Sequence, residues 1–238
     1  SGTIRRVSKS GARDGHVMRI LITGHRGYIG SVMTCVLRNA RFDVVGLDSD
    51  LYRGCDFGRW NEDIPAYEAD IRDLDFIDLM SFDAVIHLAG LSDDGQGGLD
   101  TGLTDEMNVE STLRLAILCK RAGVSRFVFA SSASVYGAGG GELLCEETPP
   151  RPLSRYAASK LCCERELAKL ADERFCPVFM RNATVYGVSP RLRTDLVVND
   201  FVGSAVTTGR IIMKSAGRAW RPLVHVEDVG RAFAAVLT

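Results

Sequence analysis

Residues 18–30 read MRILITGHRGYIG, and the fold of the chain follows from how this run changes character halfway. Arg19, Ile20, Leu21, Ile22 and Thr23 form a short, branched, largely apolar segment of the kind buried on both faces of a parallel sheet. Gly24, Gly27 and Gly30 follow, and a helical pattern begins at about residue 28. In a strand-to-helix turn the first glycine permits the tight bend, the second lets the backbone approach a pyrophosphate, and the third lets helix and strand pack closely. The phosphates would then meet unpaired N–H groups and the positive end of the helix dipole. Glycine spacing alone is a weak signal, because 24 of the 238 residues are glycine, so the context decides. Residues 44–48, VVGLD, read as a second strand ending in an acid, and Asp48 follows Gly30 at close to the roughly 20-residue offset of a carboxylate that holds ribose hydroxyls. The other reading of Asp48 is an ordinary turn aspartate.

Composition sets the bounds around this core. With 46% hydrophobic residues, 25% charged residues and a formal net charge of −1, the chain has the make-up of a soluble globular protein. Its near-neutral balance gives no electrostatic case for nucleic acid or an anionic membrane as partner. No apolar run approaches the roughly 20 residues of a membrane span, and no stretch has the layout of a signal peptide. Seven cysteines, odd in number and without paired Cys-x-x-Cys spacing, imply reduced thiols, a cytoplasmic setting and no metal site.

In chain order, residues 1–16 are polar, basic and aperiodic, and read as a flexible leader. Strands are expected at 18–23, 43–48, 66–69, 82–89, 126–131 and 177–180, and helices at about 28–39, 104–122 and 154–170, with a glycine-rich loop at 92–102. This alternation predicts a doubly wound parallel α/β sheet over 17–180, with 181–238 a partial substrate-binding region that returns to the first domain. Ligands bind beyond the carboxyl ends of the strands of such a sheet. There the chain collects Thr23 and Gly24, Asp48, a second acid Asp70 followed by Ile71, the run Leu88, Ala89 and Gly90, the pair Ser131 and Ser132, and Arg181. Glycines for a pyrophosphate, acids for a ribose and an adenine amine, and small residues to admit a flat ring outline a dinucleotide. Asp48 predicts NAD over NADP, while His25 and Arg26 in the glycine loop argue the other way.

The chemistry is expected from Tyr156 and Lys160 in YAASK (156–160). A spacing of four puts both side chains on one helical face, about 5 to 6 Å apart at Cβ. A phenol is a poor base at neutral pH, and an adjacent ammonium stabilises its anion. Ser132 can donate a hydrogen bond to the same substrate oxygen.

Six motifs in order resemble the extended short-chain dehydrogenase/reductase family, specifically its NAD-dependent epimerase/dehydratase branch, which acts on nucleotide sugars. They are TGHRGYIG (23–30), ADIRD (69–73), HLAG (87–90), SSASVYG (131–137), YAASK (156–160) and RPLVHVEDV (221–229). The resemblance implies a Rossmann fold and hydride transfer between a sugar carbon and NAD. Tyr156 would be the acid/base, Lys160 would also hold the nicotinamide ribose, and Ser132 would be the hydroxyl partner. The cofactor would lie on Gly24, Arg26, Gly27, Tyr28, Ile29, Gly30, Asp48, Asp70, Ile71, Leu88, Ala89 and Gly90. The substrate would meet Ser132, Thr184, Asn199 and Arg221. Arg221 is read either as a buried arginine facing a diphosphate or as a member of a surface ion pair. A homodimer through the two helices at 104–122 and 154–170 is also implied, Leu113, Leu115, Ile117 and Leu118 being apolar around much of their helix.

Departures from the family pattern narrow the expectation. Ala133 and Ser134 stand where dehydratases of the family often carry an acidic pair, which disfavours elimination by that route, and Thr184 stands where an asparagine is frequent. Family members usually continue for several dozen residues past the RPLVHVEDV element, so 181–238 reads as an incomplete substrate lobe. The expected function is a nucleotide-sugar epimerase or ketoreductase. The alternatives are a non-catalytic NAD-binding protein with a reduced lobe, or an enzyme acting on another carbonyl substrate.

Overall fold

The computed structural model describes residues 17–57, 64–91, 105–138, 141, 143–213, 215–217 and 220–238. The expected leader at 1–16 and glycine-rich loop at 92–102 lie outside these residues. Six strands pair in parallel throughout: β1 (Arg19–Thr23), β2 (Asp43–Asp48), β3 (Ala66–Glu68), β4 (Ala84–His87), β5 (Arg126–Ser132) and β6 (Cys176–Asn182), in the order β3-β2-β1-β4-β5-β6. The reversal between β1 and β4 is where such a sheet opens a crevice for a ligand.

Alternation along the strands builds two cores. Leu21, Val45, Leu47, Val85, Phe127 and Phe129 face α3 (Ser111–Ala122) and α4 (Arg155–Ala168), meeting Leu115, Cys119, Cys163 and Leu167. Ile20, Ile22, Val44, Ala84, Ile86 and Val128 face the other way, onto Met33 and Leu37 of α1 (Tyr28–Asn39) and onto Val226, Val229 and Phe233 of α6 (Val226–Ala235). The last helix thus returns to pack on the first. Gly230 of α6 lies so close to α1 that a Cβ there would come within 3.0 Å of Val36.

The expected helix at 104–122 begins, among the described residues, with a π-helical turn at Glu106–Glu110 and continues as α3. A short α2 (Phe76–Leu79), α5 (Val197–Thr208) and a second, two-stranded parallel sheet of β7 (Thr184–Tyr186) and β8 (Leu223–His225) were not anticipated. Leu115 and Leu118 are buried within the chain's own core, contrary to the expectation that this helix turns surplus apolar residues outward; Ile117 is the one that is exposed.

Candidate active site

The phosphate cradle is built by backbone geometry. Gly24 takes φ +75°, a left-handed value that glycine adopts without strain, and a Cβ there would lie 2.7 Å from the Ala89 nitrogen. A Cβ on Gly30 would fall on the Gly24 carbonyl oxygen, whereas one on Gly27 would meet only that same oxygen, at 3.2 Å. The loop is therefore closed around its first and third glycines and open at the second. Gly27 is the N-cap of α1, no side chain caps the helix, and its first turn carries no acid. An anion would meet the N–H groups of that turn without a competitor. The side chains of Tyr28 and Ile29 do not join this surface. Tyr28 is buried in the second core and Ile29 packs against it, and the Tyr28 hydroxyl donates to the Gly187 carbonyl at 2.9 Å.

At the end of β2, Asp48 accepts the Arg26 N–H at 2.9 Å and the Asp50 N–H at 3.0 Å, one on each carboxylate oxygen. These bonds fix its orientation beside the glycine turn. Asp70, expected at the adenine, caps the 3-10 turn Ile71–Asp73 and is paired with Arg72 at 2.8 Å. The Arg72 hydrogen bond holds its carboxyl below the usual range. Ile71 is buried in the core. At the end of β4, the Leu88 N–H donates to the Thr23 carbonyl at 3.1 Å, and Leu88 and Ala89 stay partly open while Gly90 is exposed.

The catalytic candidates converge from β5 and α4. Ser154 caps α4 by accepting the Ala157 N–H at 3.1 Å, which places Tyr156 in the first helical turn and Lys160 one turn deeper. The Lys160 side chain runs inward: Nζ donates to the Ala130 carbonyl at 2.8 Å, lies 4.6 Å from the Phe129 ring centroid and 5.6 Å from that of Tyr156. Only 8% of Lys160 is exposed, and burial brings its pKa down to about 8. Ser132, at the last position of β5, accepts from the Ser134 N–H at 3.2 Å and lies 2.9 Å from the Ser134 hydroxyl.

Two buried networks brace this region and were not recognised as such from the sequence. His87 lies between the Thr23 and Thr112 hydroxyls, at 2.7 and 2.8 Å, and burial with the nearby Lys160 charge lowers its pKa to about 3, so it is neutral. Glu164, one turn beyond Lys160 on α4, accepts the Ser131 hydroxyl and is paired with Arg181 at 2.7 Å, while Arg181 reaches the Tyr136 hydroxyl at 2.8 Å. Arg181 at its strand end therefore holds the fold together and is not offered to a ligand.

The expected substrate residues divide. Thr184 lies half-buried in β7. Asn199 is 9% exposed and its amide is used locally: Oδ1 accepts the Gly187 N–H at 3.1 Å, and Nδ2 donates to the Tyr28 hydroxyl at 3.1 Å and the Arg193 carbonyl at 3.0 Å. It ties α5 to the glycine turn. Arg221 is exposed, not buried. Trp220 beside it is 96% exposed and Leu223 50%. Among the described residues there is no cluster of metal-ligating side chains and no helix long and apolar enough to cross a membrane.

A sequence model of the NAD dependent epimerase/dehydratase family matches residues 20–238. UDP-glucose 4-epimerase of Streptomyces lividans is 36% identical over 155 residues, which cover 61% of this chain and 45% of that protein. The UDP-glucose 4-epimerase of Bacillus subtilis is 33% identical over 185 residues, covering 73% and 54% respectively. The chain thus spans about half the length of the curated relatives it matches. Among solved structures, the Thermus thermophilus UDP-glucose 4-epimerase complex with NAD is similar with a TM-score of 0.76 and 31% identity, over 92% of this chain and 74% of that one. The Bacillus cereus UDP-glucuronic acid 4-epimerase complex with UDP-glucuronic acid and NAD gives a TM-score of 0.79 at 27% identity, over 92% and 73%.

Proposed function

Since the chain belongs to the NAD-dependent epimerase/dehydratase family, we propose that it binds NAD along the carboxyl edge of the sheet and acts on a nucleotide sugar as an epimerase or ketoreductase. The residues present fit the cofactor. The loop is open at Gly27 and leads into an uncapped helix end, which suits a pyrophosphate, and Asp48 stands oriented for the ribose hydroxyls and against a 2′-phosphate. NAD supplies a two-electron acceptor next to the sugar carbon. Tyr156 takes the proton of the sugar hydroxyl and later returns it, Ser132 donates a hydrogen bond to the same oxygen, and Lys160 stabilises negative charge on the phenol oxygen while reaching the nicotinamide ribose. Ala133 and Ser134 offer no acid and base for eliminating water, which favours epimerisation or reduction over dehydration.

The observation that carries this reading is Lys160 itself. An amine buried to 8% exposure, 5.6 Å from the Tyr156 ring and with a carbonyl as its hydrogen-bond acceptor, costs the fold stability. An uncharged side chain would fill this space at less cost, whereas a charge this near a tyrosine favours its phenolate. The test is an assay of the chain with NAD against a panel of nucleotide sugars, with product stereochemistry read by NMR. Conversion of at least one UDP-sugar is expected; NAD binding with no conversion of any sugar would remove the enzymatic half of the proposal.

We also propose that two copies associate through α3 and α4. Ile117, 47% exposed on α3, supports this, whereas Leu115 and Leu118 are buried in the chain's own core and Leu113 packs against it. Light scattering at micromolar concentration should give twice the chain mass, and a monomer would refute the dimer.

A further inference from the structure

The loop after β2 holds a charge cluster apart from the catalytic helix. Asp50, two residues past Asp48, has a left-handed φ of 51°, and its side chain is only 9% exposed. Its carboxylate takes Arg26 Nη1 at 2.6 Å and Arg53 Nε at 2.7 Å, with Arg191 Nη2 at 3.8 Å. Arg53 is also paired with Glu68 at 2.5 Å, and Arg191 with Asp56 at 3.2 Å. Three guanidinium groups therefore stand beside the end of β2, and each is turned onto a carboxylate. The Arg26 and Arg53 side chains are 40% and 65% exposed, so both have room to move if released.

Guanidinium is the group that receives a ribose 2′-phosphate at this edge of a dinucleotide-binding sheet, because its planar fork matches phosphate oxygens. A sheet edge with Arg26 and Arg53 free would attract NADP whatever Asp48 did, since two cations outweigh one carboxylate. We propose that Asp50 is a specificity-determining residue: by holding Arg26 and Arg53 it denies NADP its phosphate ligands, while Asp48 repels the phosphate directly. Selectivity for NAD then rests on two carboxylates with different tasks, and the cation in the glycine loop that argues for NADP in the sequence is neutralised in the fold. Glu68 is a secondary anchor, more exposed and holding Arg53 alone at close range. The inference rests on the NAD-binding reading above.

The test measures dissociation constants for NAD and NADP, by calorimetry on the whole chain, for the wild type, Asp48→Asn, Asp50→Asn and the double variant, with Arg53→Gln, alone or together with Arg26→Gln, added to each. Circular dichroism confirms that each variant is folded. Asp50→Asn is expected to tighten NADP binding on the order of ten- to a hundredfold, the value of a charge-assisted hydrogen bond, with NAD affinity nearly unchanged. Arg53→Gln should remove only part of that gain in the Asp50→Asn background, because Arg26 is released as well, and should leave the NAD/NADP ratio unaltered in the wild type. Glu68→Gln, at an exposed position that the fold tolerates, loosens Arg53 alone and should tighten NADP by only about threefold, as befits a surface pair. Wild-type binding of NAD with no NADP gain from either Asp50→Asn or Glu68→Gln overturns the role of Asp50, as does a gain in Asp50→Asn that survives Arg26→Gln and Arg53→Gln together. A wild type that binds neither dinucleotide overturns the NAD reading itself, and this proposal with it.

Discussion

Tyr156→Phe is expected to lower kcat by roughly 10²- to 10⁴-fold, the usual contribution of a positioned acid/base, while the dissociation constant for NAD stays close to that of the wild type. In the proposed mechanism the phenol oxygen takes the substrate proton, and its loss would leave Ser132 as a hydrogen-bond donor with no base beside it. The ring is retained, so the half-buried position at the start of α4 keeps its packing and Lys160 keeps its aromatic neighbours at 4.6 and 5.6 Å. Steady-state kinetics on an accepted nucleotide sugar, paired with calorimetric titration of NAD, separate the two effects. Retention of wild-type rates across the neutral pH range would end the proposed mechanism.

Lys160→Met is expected to do something that Tyr156→Phe does not: stabilise the fold while removing activity. Burial brings the Lys160 pKa from 10.5 to about 8, and a shift of that size corresponds to about 3 kcal/mol of cost for keeping the charge inside. Between those two values the unfolded chain holds the proton and the folded chain does not, so stability rises with pH across that window. Below about pH 8 the cost is present in full. Methionine fills the same channel between Phe129 and α4 without a charge, so the variant should unfold at a higher urea concentration near neutral pH, with the difference from wild type shrinking as pH climbs from about 8 towards 10.5. Catalysis and NAD affinity should both fall, because the charge beside Tyr156 and the ribose contact proposed for Lys160 would be lost together. Urea titrations at neutral and alkaline pH read the first effect, and a wild type more stable than the variant near pH 7 would contradict it. This is the trade of stability for function that buried active-site charges impose.

What could be read from the sequence was local. The strand, glycine turn and helix of residues 18–39, the acid at Asp48 and the four-residue spacing of Tyr156 and Lys160 each depend on neighbours a few positions away, and each lies where expected. What could not be read depended on contacts between distant residues. The strands β7 and β8 are three residues long and nearly forty apart, so neither carries a period and only their mutual hydrogen bonds define them. Arg221 stands in the late RPLVHVEDV motif and Asn199 in none of the six, and whether either side chain faces a cleft depends on packing that no motif specifies. Asn199 instead stitches α5 to Tyr28 and Gly187, and Arg221 is solvated. The arginines around Asp50 come from three separate loops, and nothing in their spacing announces that they share one carboxylate.

The packing of α6 on α1 also bears on how the chain comes off the ribosome. Met33 and Leu37 are synthesised well before part of what covers them, Val229 and Phe233 of α6. The contact closes a long loop and cannot form until α6 has emerged. Until α6 is made, the nascent protein therefore exposes the sheet face that this helix will later cover, and this greasy half-finished surface is what a chaperone or a neighbouring nascent chain would meet first.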